Sequence, residues 1–185
     1  KYCVNHHVLH IADKMRLRGR IIGKFIPISP TTKLPRPVDA DENQESNLAW
    51  RRAMAEAHNA DRINFKRSVR TRTQLEAAEK FKDDVFYLCW SFDYRGRAYP
   101  IPAFLTPQDT DFGKALLRFA DESSVTDEAE LWLSFQVATT YGLDKETLED
   151  RHQWVSNNTD LITKVATDPE GYLHLWEEVD EPWQF

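Results

Sequence analysis

Apolar positions along residues 2–20 fall at Val4, Val8, Leu9, Ile11, Ala12, Met15 and Leu17, mostly three or four apart, which predicts a helix. Gly19 and Gly23 end it, and the four prolines between Ile26 and Pro37 predict an extended linker. The acidic, polar run Asp39–Glu45 leads into a second helical pattern from Ser46, through Leu48, Ala49, Ala53, Ala57 and Ala60, built from good helix formers. A third pattern, from Thr73 to about Asp83, places Leu75, Ala78 and Phe81 on one face. The two are expected as separate helices joined near Ser68–Thr73. The surroundings of that joint are basic, with Arg62, Lys66, Arg67, Arg70 and Arg72.

The period then shortens. Val85 to Trp90 is a short apolar run rich in strand-forming residues, and Ala98 to Pro102 is held extended by its prolines. Between them Asp93–Arg97 predicts a turn. Helical patterns return at Asp111 to Ala120, with Leu116, Leu117 and Phe119, and at Asp127 to Tyr141, where Leu131, Phe135, Ala138 and Tyr141 share a face. Thr126 is the expected N-cap of the latter and Gly142 its end. Asp144 is expected to cap a helix through Trp154, and Asn158 or Thr159 another through Ala166. The predicted fold class is mainly α, with a small β element around residues 85–102.

Composition adds that a core is expected: 41% of residues are hydrophobic and 29% charged, with six Trp and ten Phe. Two cysteines, Cys3 and Cys89, make neither a disulfide framework nor a metal-ligand set. No apolar run reaches the length of a membrane span, so a soluble protein is expected. The chain opens on Lys1-Tyr2-Cys3-Val4 and closes on Pro182-Trp183-Gln184-Phe185, which reads as an internal piece of something longer. The net charge of −6 conceals an asymmetry: residues 1–82 hold 17 Lys and Arg against 9 Asp and Glu, residues 83–185 hold 7 against 21. A basic half suggests a polyanion surface and an acidic half a solvated or docking face, but on charge alone ordinary charged helix surfaces are the favoured explanation of both.

Several chemistries find little support in the pattern. His6 and His10 would share a helix face, yet no carboxylate lies between them to act as the base of a zinc hydrolase. No glycine-rich phosphate loop and no Gly-x-Ser-x-Gly elbow occurs. The carboxylates between Asp121 and Asp150 are spread over helix surfaces rather than paired. Asp93-Tyr94-Arg95-Gly96-Arg97-Ala98-Tyr99 is different. Two arginines flank a glycine, so the backbone is free to approach a partner closely, and guanidinium forks match phosphate oxygens. Asp93 is placed to brace an arginine, and Tyr99 to stack beside a sugar or base. On these residues alone, a plain salt bridge of Asp93 with Arg95 or Arg97 at a β-turn is the favoured explanation.

The segment resembles the D-x-x-G-R motif of the single-subunit RNA polymerases of bacteriophages and mitochondria, which an aromatic follows two residues on; here these are Asp93, Gly96, Arg97 and Tyr99. Asp109-Thr-Asp-Phe-Gly-Lys-Ala-Leu-Leu is similar to the turn and T-K-G-L-L helix that come next in the family. Leu131-Trp-Leu-Ser-Phe-Gln loosely matches W-L-K-x-H, with Ser134 and Gln136 replacing its lysine and histidine. Arg151-His-Gln-Trp-Val resembles E-R-x-x-W-V. Upstream, Ala49-Trp-Arg-Arg-Ala is similar to the start of the thumb helix and Asn5-His-His-Val-Leu to the close of the preceding domain.

The resemblance implies part of a right-hand polymerase. Residues 1–42 would end an N-terminal domain and linker, 43–84 form the thumb, and 85–185 begin the palm with its surrounding helices. It implies a DNA-directed RNA polymerase, with DNA template, nascent RNA, nucleoside triphosphates and the rest of the polymerase chain as partners. The catalytic aspartates and their Mg2+ would lie outside this stretch, leaving it inactive alone. Asp93, Arg95, Gly96, Arg97, Tyr99, Lys114, Arg67, Arg70 and Arg72 are the implied nucleic-acid contacts. The location would be host cytoplasm for a phage protein, or mitochondrion or plastid for an organellar one. Two alternatives stand beside it: a stand-alone helical nucleic-acid-binding module, and an acidic helical interaction domain.

Overall fold

The computed structural model describes residues 1–27 and 33–185. In chain order its elements are β1 (Tyr2–Val4), α1 (His6–Leu17), α2 (Gln44–Phe81), β2 (Trp90–Phe92), β3 (Ala98–Pro100), α3 (Asp111–Ala115), β4 (Leu117–Phe119), α4 (Asp127–Tyr141), α5 (Leu148–Asn157), α6 (Thr159–Thr167) and a 3-10 turn at Leu173–Leu175. The fold is mainly helical with small antiparallel sheets, β1 with β4 and β2 with β3.

α2 is one continuous helix, not two. Between Gln44 and Phe81 there is neither glycine nor proline, so nothing interrupts the backbone ladder, and the 38 residues run for about 57 Å. The expected joint at Ser68–Thr73 is instead where the helix enters the core. Its buried residues, Ser68, Thr71, Gln74, Leu75 and Ala78, all lie from Ser68 onward, and the backbone N–H of Ile26 donates to Thr71 Oγ1 at 3.1 Å. The small polar side chains Ser68 and Thr71 form a close-packing surface there. The stretch Gln44–Arg67 holds no buried residue and projects from the body. Asn43 caps it, its Oδ1 accepting from the N–H groups of Glu45 and Ser46 at 3.1 Å. The linker expected from Ile26 to Pro37 falls partly on residues 28–32, outside the described residues.

Two more expectations change because a distant strand competes with local propensity. The helix expected over Asp111–Ala120 stops at Ala115, and Leu117–Phe119 turns into β4 to pair with Tyr2–Val4, which were expected within the first helix. The strand expected at Val85–Trp90 begins only at Trp90; upstream, Phe86 forms a single bridge with Tyr2, and Val85 and Tyr87 lie exposed. α5 starts after Thr147 rather than Asp144, with Thr147 Oγ1 accepting from the Asp150 N–H at 3.2 Å. α4 has the expected ends, Thr126 and Gly142, the latter at φ +127°. Of its expected face only Ala138 is buried, while Tyr141 stacks on Trp154 and Phe185.

The core gathers around Phe25, Phe112 and Trp183, whose ring centroids lie 4.7 to 4.8 Å apart, with Trp176 5.6 Å from Trp183. Met15, Ile22 and Leu116 close it. The final segment is drawn in by Asp111, whose carboxylate accepts from the backbone N–H of Trp183 at 2.9 Å and of Gln184 at 3.2 Å. Burial pushes the Asp111 carboxyl above the usual aspartate range, and these N–H donors only partly offset that. Ion pairs Lys14–Glu170, Arg18–Glu170 and Arg20–Glu177 join the basic half to the acidic half. Part of the charge asymmetry is therefore internal cement.

Candidate nucleic-acid interface

β2 and β3 form a hairpin in register Trp90 to Pro100, Ser91 to Tyr99 and Phe92 to Ala98. Its turn closes with the Asp93 N–H donating to the Arg97 carbonyl and the Gly96 N–H donating to the Asp93 carbonyl, both at 3.0 Å. Gly96 sits at φ +77°, the left-handed conformation that ends such a loop, and no atom stands within 4 Å of where a Cβ would be. The glycine is needed for its backbone angle, and the space beside it is open.

Asp93 organises the turn. Its Oδ1 accepts from the N–H groups of Arg95 at 2.8 Å and Arg97 at 3.0 Å, while Oδ2 accepts from Arg97 Nε at 2.7 Å and its terminal nitrogen at 2.6 Å. The Arg97 N–H, above all, holds the Asp93 carboxyl below the usual aspartate range, with the Arg97 guanidinium and Arg95 N–H adding to it against partial burial. Asp93 thus braces an arginine, as expected. The Arg97 guanidinium lies 5.5 Å from the Tyr99 ring centroid and stays half exposed. Arg95 lies 5.3 Å from the Tyr94 ring and, among the described residues, makes no ion pair with a carboxylate.

The hairpin is tethered to α2. Gln108 Nε2 donates to the Ala98 carbonyl at 3.1 Å, Arg70 pairs with Asp109 at 2.6 Å, and Gln74 Nε2 donates to Thr110 Oγ1 at 3.0 Å. Asp93, Arg95, Gly96, Arg97 and Tyr99 are thereby brought to the Arg70 side of α2. Arg67, one turn away and exposed, shares roughly that side. Arg72 does not: two residues on from Arg70 it points about 200° away and lines a groove against α1 with Asp13, Glu76 and Glu79. Lys114 also stands apart, 3.5 Å from Glu181 in a cavity of about 470 Å³ with His7, Gln136 and Trp183.

Sequence reasoning gave no role to Gln108, Asp109 or Gln74, the residues that fix the hairpin. Only the polar run Pro107–Thr110 hinted at a structured turn. Among the described residues no group of three or more His, Cys, Asp or Glu is placed to hold a metal ion, and His6 and His10 gather no further ligand. The described residues do not make a Mg2+ site.

A DNA-dependent RNA polymerase family profile matches residues 123–185. Over 98% of its length the chain is 28% identical to the mitochondrial DNA-directed RNA polymerase of Neurospora crassa, covering 13% of that protein. It is 30% identical over 98% of its length to T7 RNA polymerase of Escherichia phage T7, covering 21% of it. It is 28% identical over its full length to the chloroplastic/mitochondrial DNA-directed RNA polymerase 2 of Arabidopsis thaliana, covering 18%. The chain thus spans about a fifth or less of these relatives. Over its whole length the chain is thus similar to the single-subunit, phage-type DNA-directed RNA polymerases, and the family profile covers its last third.

Proposed function

We propose that this chain is the thumb (residues 43–84) and the start of the palm (residues 85–185) of a DNA-directed RNA polymerase, and that its Arg-Gly-Arg hairpin grips the template strand and the RNA–DNA hybrid. The observation that carries this is the Asp93-held Arg97 at an exposed turn, beside an Arg95 that pairs with no carboxylate among the described residues. Here the bracing carboxylate fixes the fork while leaving half of it open to solvent.

The projecting stretch of α2 continues the same surface with Arg62, Lys66 and Arg67. A rigid basic helix beside a basic hairpin suits a duplex that must be held through its phosphates without regard to sequence. In the reaction, nucleotidyl transfer from nucleoside triphosphates to a growing RNA, this chain's part is to position the template and hybrid, not to move protons or activate the nucleophile.

The test is Arg97→Ala in the polymerase that carries this sequence, measuring the dissociation rate of a preassembled template–RNA complex alongside thermal unfolding. The expected result is a complex lifetime shortened about tenfold, the loss of one charge-assisted contact, with little change in melting temperature. A lower melting temperature with an unchanged lifetime would show that the Asp93–Arg97 pair merely closes the turn.

A further inference from the structure

We propose that Asp109 is a positioning residue, which locks the basic face of α2 and the Arg-Gly-Arg hairpin into one fixed arrangement; this rests on the hairpin and α2 acting together on nucleic acid. The Asp109 side chain is wholly buried (0% exposed), while its partner Arg70 is half exposed at 50%. Oδ1 accepts from Arg70 at 2.6 Å and from the Thr110 N–H at 2.7 Å. Oδ2 has no hydrogen-bond partner among the described residues.

A carboxylate taken out of water with half its hydrogen-bonding capacity unmet is a poor way to stabilise a fold. Its placement calls for another reason. Gly113 supplies a second sign that the position is built: a Cβ there would meet Asp109 Cγ at 2.3 Å and Oδ2 at 2.4 Å. Glycine inside α3 is unfavourable for the helix, and here it makes room for the carboxylate.

The connections run both ways from this point. Toward α2 there are the Arg70 ion pair, the Gln74 to Thr110 hydrogen bond, and Arg70 over the Phe104 ring at 5.9 Å. Toward the hairpin, Gln108 donates to the carbonyl of Ala98, the residue after Arg97. Strands β2 and β3 are exposed nearly throughout, and a two-stranded hairpin is marginal by itself. Its orientation is therefore set by these attachments. Without Asp109, Arg70 and the hairpin move independently, and a backbone gripped by both is gripped by one at a time.

The experiment uses Asp109→Asn and Gly113→Ala in the polymerase that carries this sequence, with Arg97→Ala as the reference. Gly113→Ala is the sharper probe, because it alters no charge and removes no nucleic-acid contact, yet displaces the carboxylate. Each is expected to shorten the lifetime of a preassembled template–RNA complex about fivefold or more, with the rate of single-nucleotide addition by bound enzyme unchanged. The double variant is expected to match the singles rather than multiply them, since both break one device. Gln108→Ala, on an exposed side chain, cuts the same chain of contacts and replaces Asp109→Asn if that variant fails to fold. If Arg97→Ala shortens the lifetime and these three do not, Asp109 only packs, and the positioning role is overturned while the hairpin grip stands. If Arg97→Ala has no effect, the grip falls and the positioning role with it.

Discussion

Asp93 holds Arg97 from both ends, accepting the backbone N–H on Oδ1 at 3.0 Å and the guanidinium Nε on Oδ2 at 2.7 Å. One carboxylate thereby fixes both the turn and the direction of the arginine that leaves it. Asp93→Asn keeps the size and one acceptor but loses the charge. It is expected to leave the hairpin register intact and to shorten the template–RNA complex lifetime by less than Arg97→Ala does. A filter-binding dissociation time course of the two variants ranks them, and an Asp93→Asn effect larger than that of Arg97→Ala would contradict the bracing role.

The two aspartates Asp93 and Asp111 are expected to respond to acid in opposite directions. Asp93 has a folded value below the ordinary 3.8, chiefly through the Arg97 N–H, so its contribution is present above 3.8 and disappears as pH falls through the lowered value. Asp111 has a folded value above 3.8 because it is buried, so its contribution is full below 3.8 and declines as pH rises through the raised value. Carboxyl-carbon chemical shifts followed through an acid titration check this. Finding the Asp111 midpoint below that of Asp93 would refute the assignment.

Trp183 touches Phe25, Phe112 and Trp176, and its indole N–H donates to the Ile22 carbonyl at 3.4 Å. Trp183→Ala is expected to lower stability by about 3–5 kcal/mol, through the cavity left between those rings. Denaturant unfolding measures it. A loss below about 1 kcal/mol would mean that the terminal segment is not part of the core.

The projecting part of α2 is expected to be energetically separate from the body. Ala60→Pro removes the N–H that donates to the carbonyl of Glu56 and forces a ring against it, at a local cost of about 3 kcal/mol. No buried residue lies near, so the far-ultraviolet helical signal should fall while the main thermal transition stays within a few degrees. A large drop in that transition would show that the stretch supports the core.

Much of this was legible in local sequence. The caps Thr126 and Gly142 delimit α4 because an N-cap hydroxyl and a left-handed glycine act within a few residues. The turn at Asp93–Arg97 was readable for the same reason, along with the bracing of Arg97. α2 is one helix where two were expected, since the two apolar patterns, from Ser46 and from Thr73, belong to one helix whose second part alone enters the core. β1 and β4 were missed because Tyr2 and Phe119 meet across more than a hundred residues, and pairing at that range overrides the helical period on both sides.

The order of the motifs, and with it the resemblance to the polymerase family, was determined by the sequence alone. So was the chemistry of the Arg-Gly-Arg turn, because glycine's left-handed angle and the guanidinium fork are properties of the residues themselves. Which arginines lie on the same side of α2 was decided only in three dimensions. Arg70 and Arg72 are near neighbours in the chain yet point to opposite sides of α2, one to Asp109 and the hairpin, the other to α1. Gly113 admits the Asp109 side chain locally, four residues away, but the ion pair of Asp109 with Arg70 exists only where α2 passes the turn before α3.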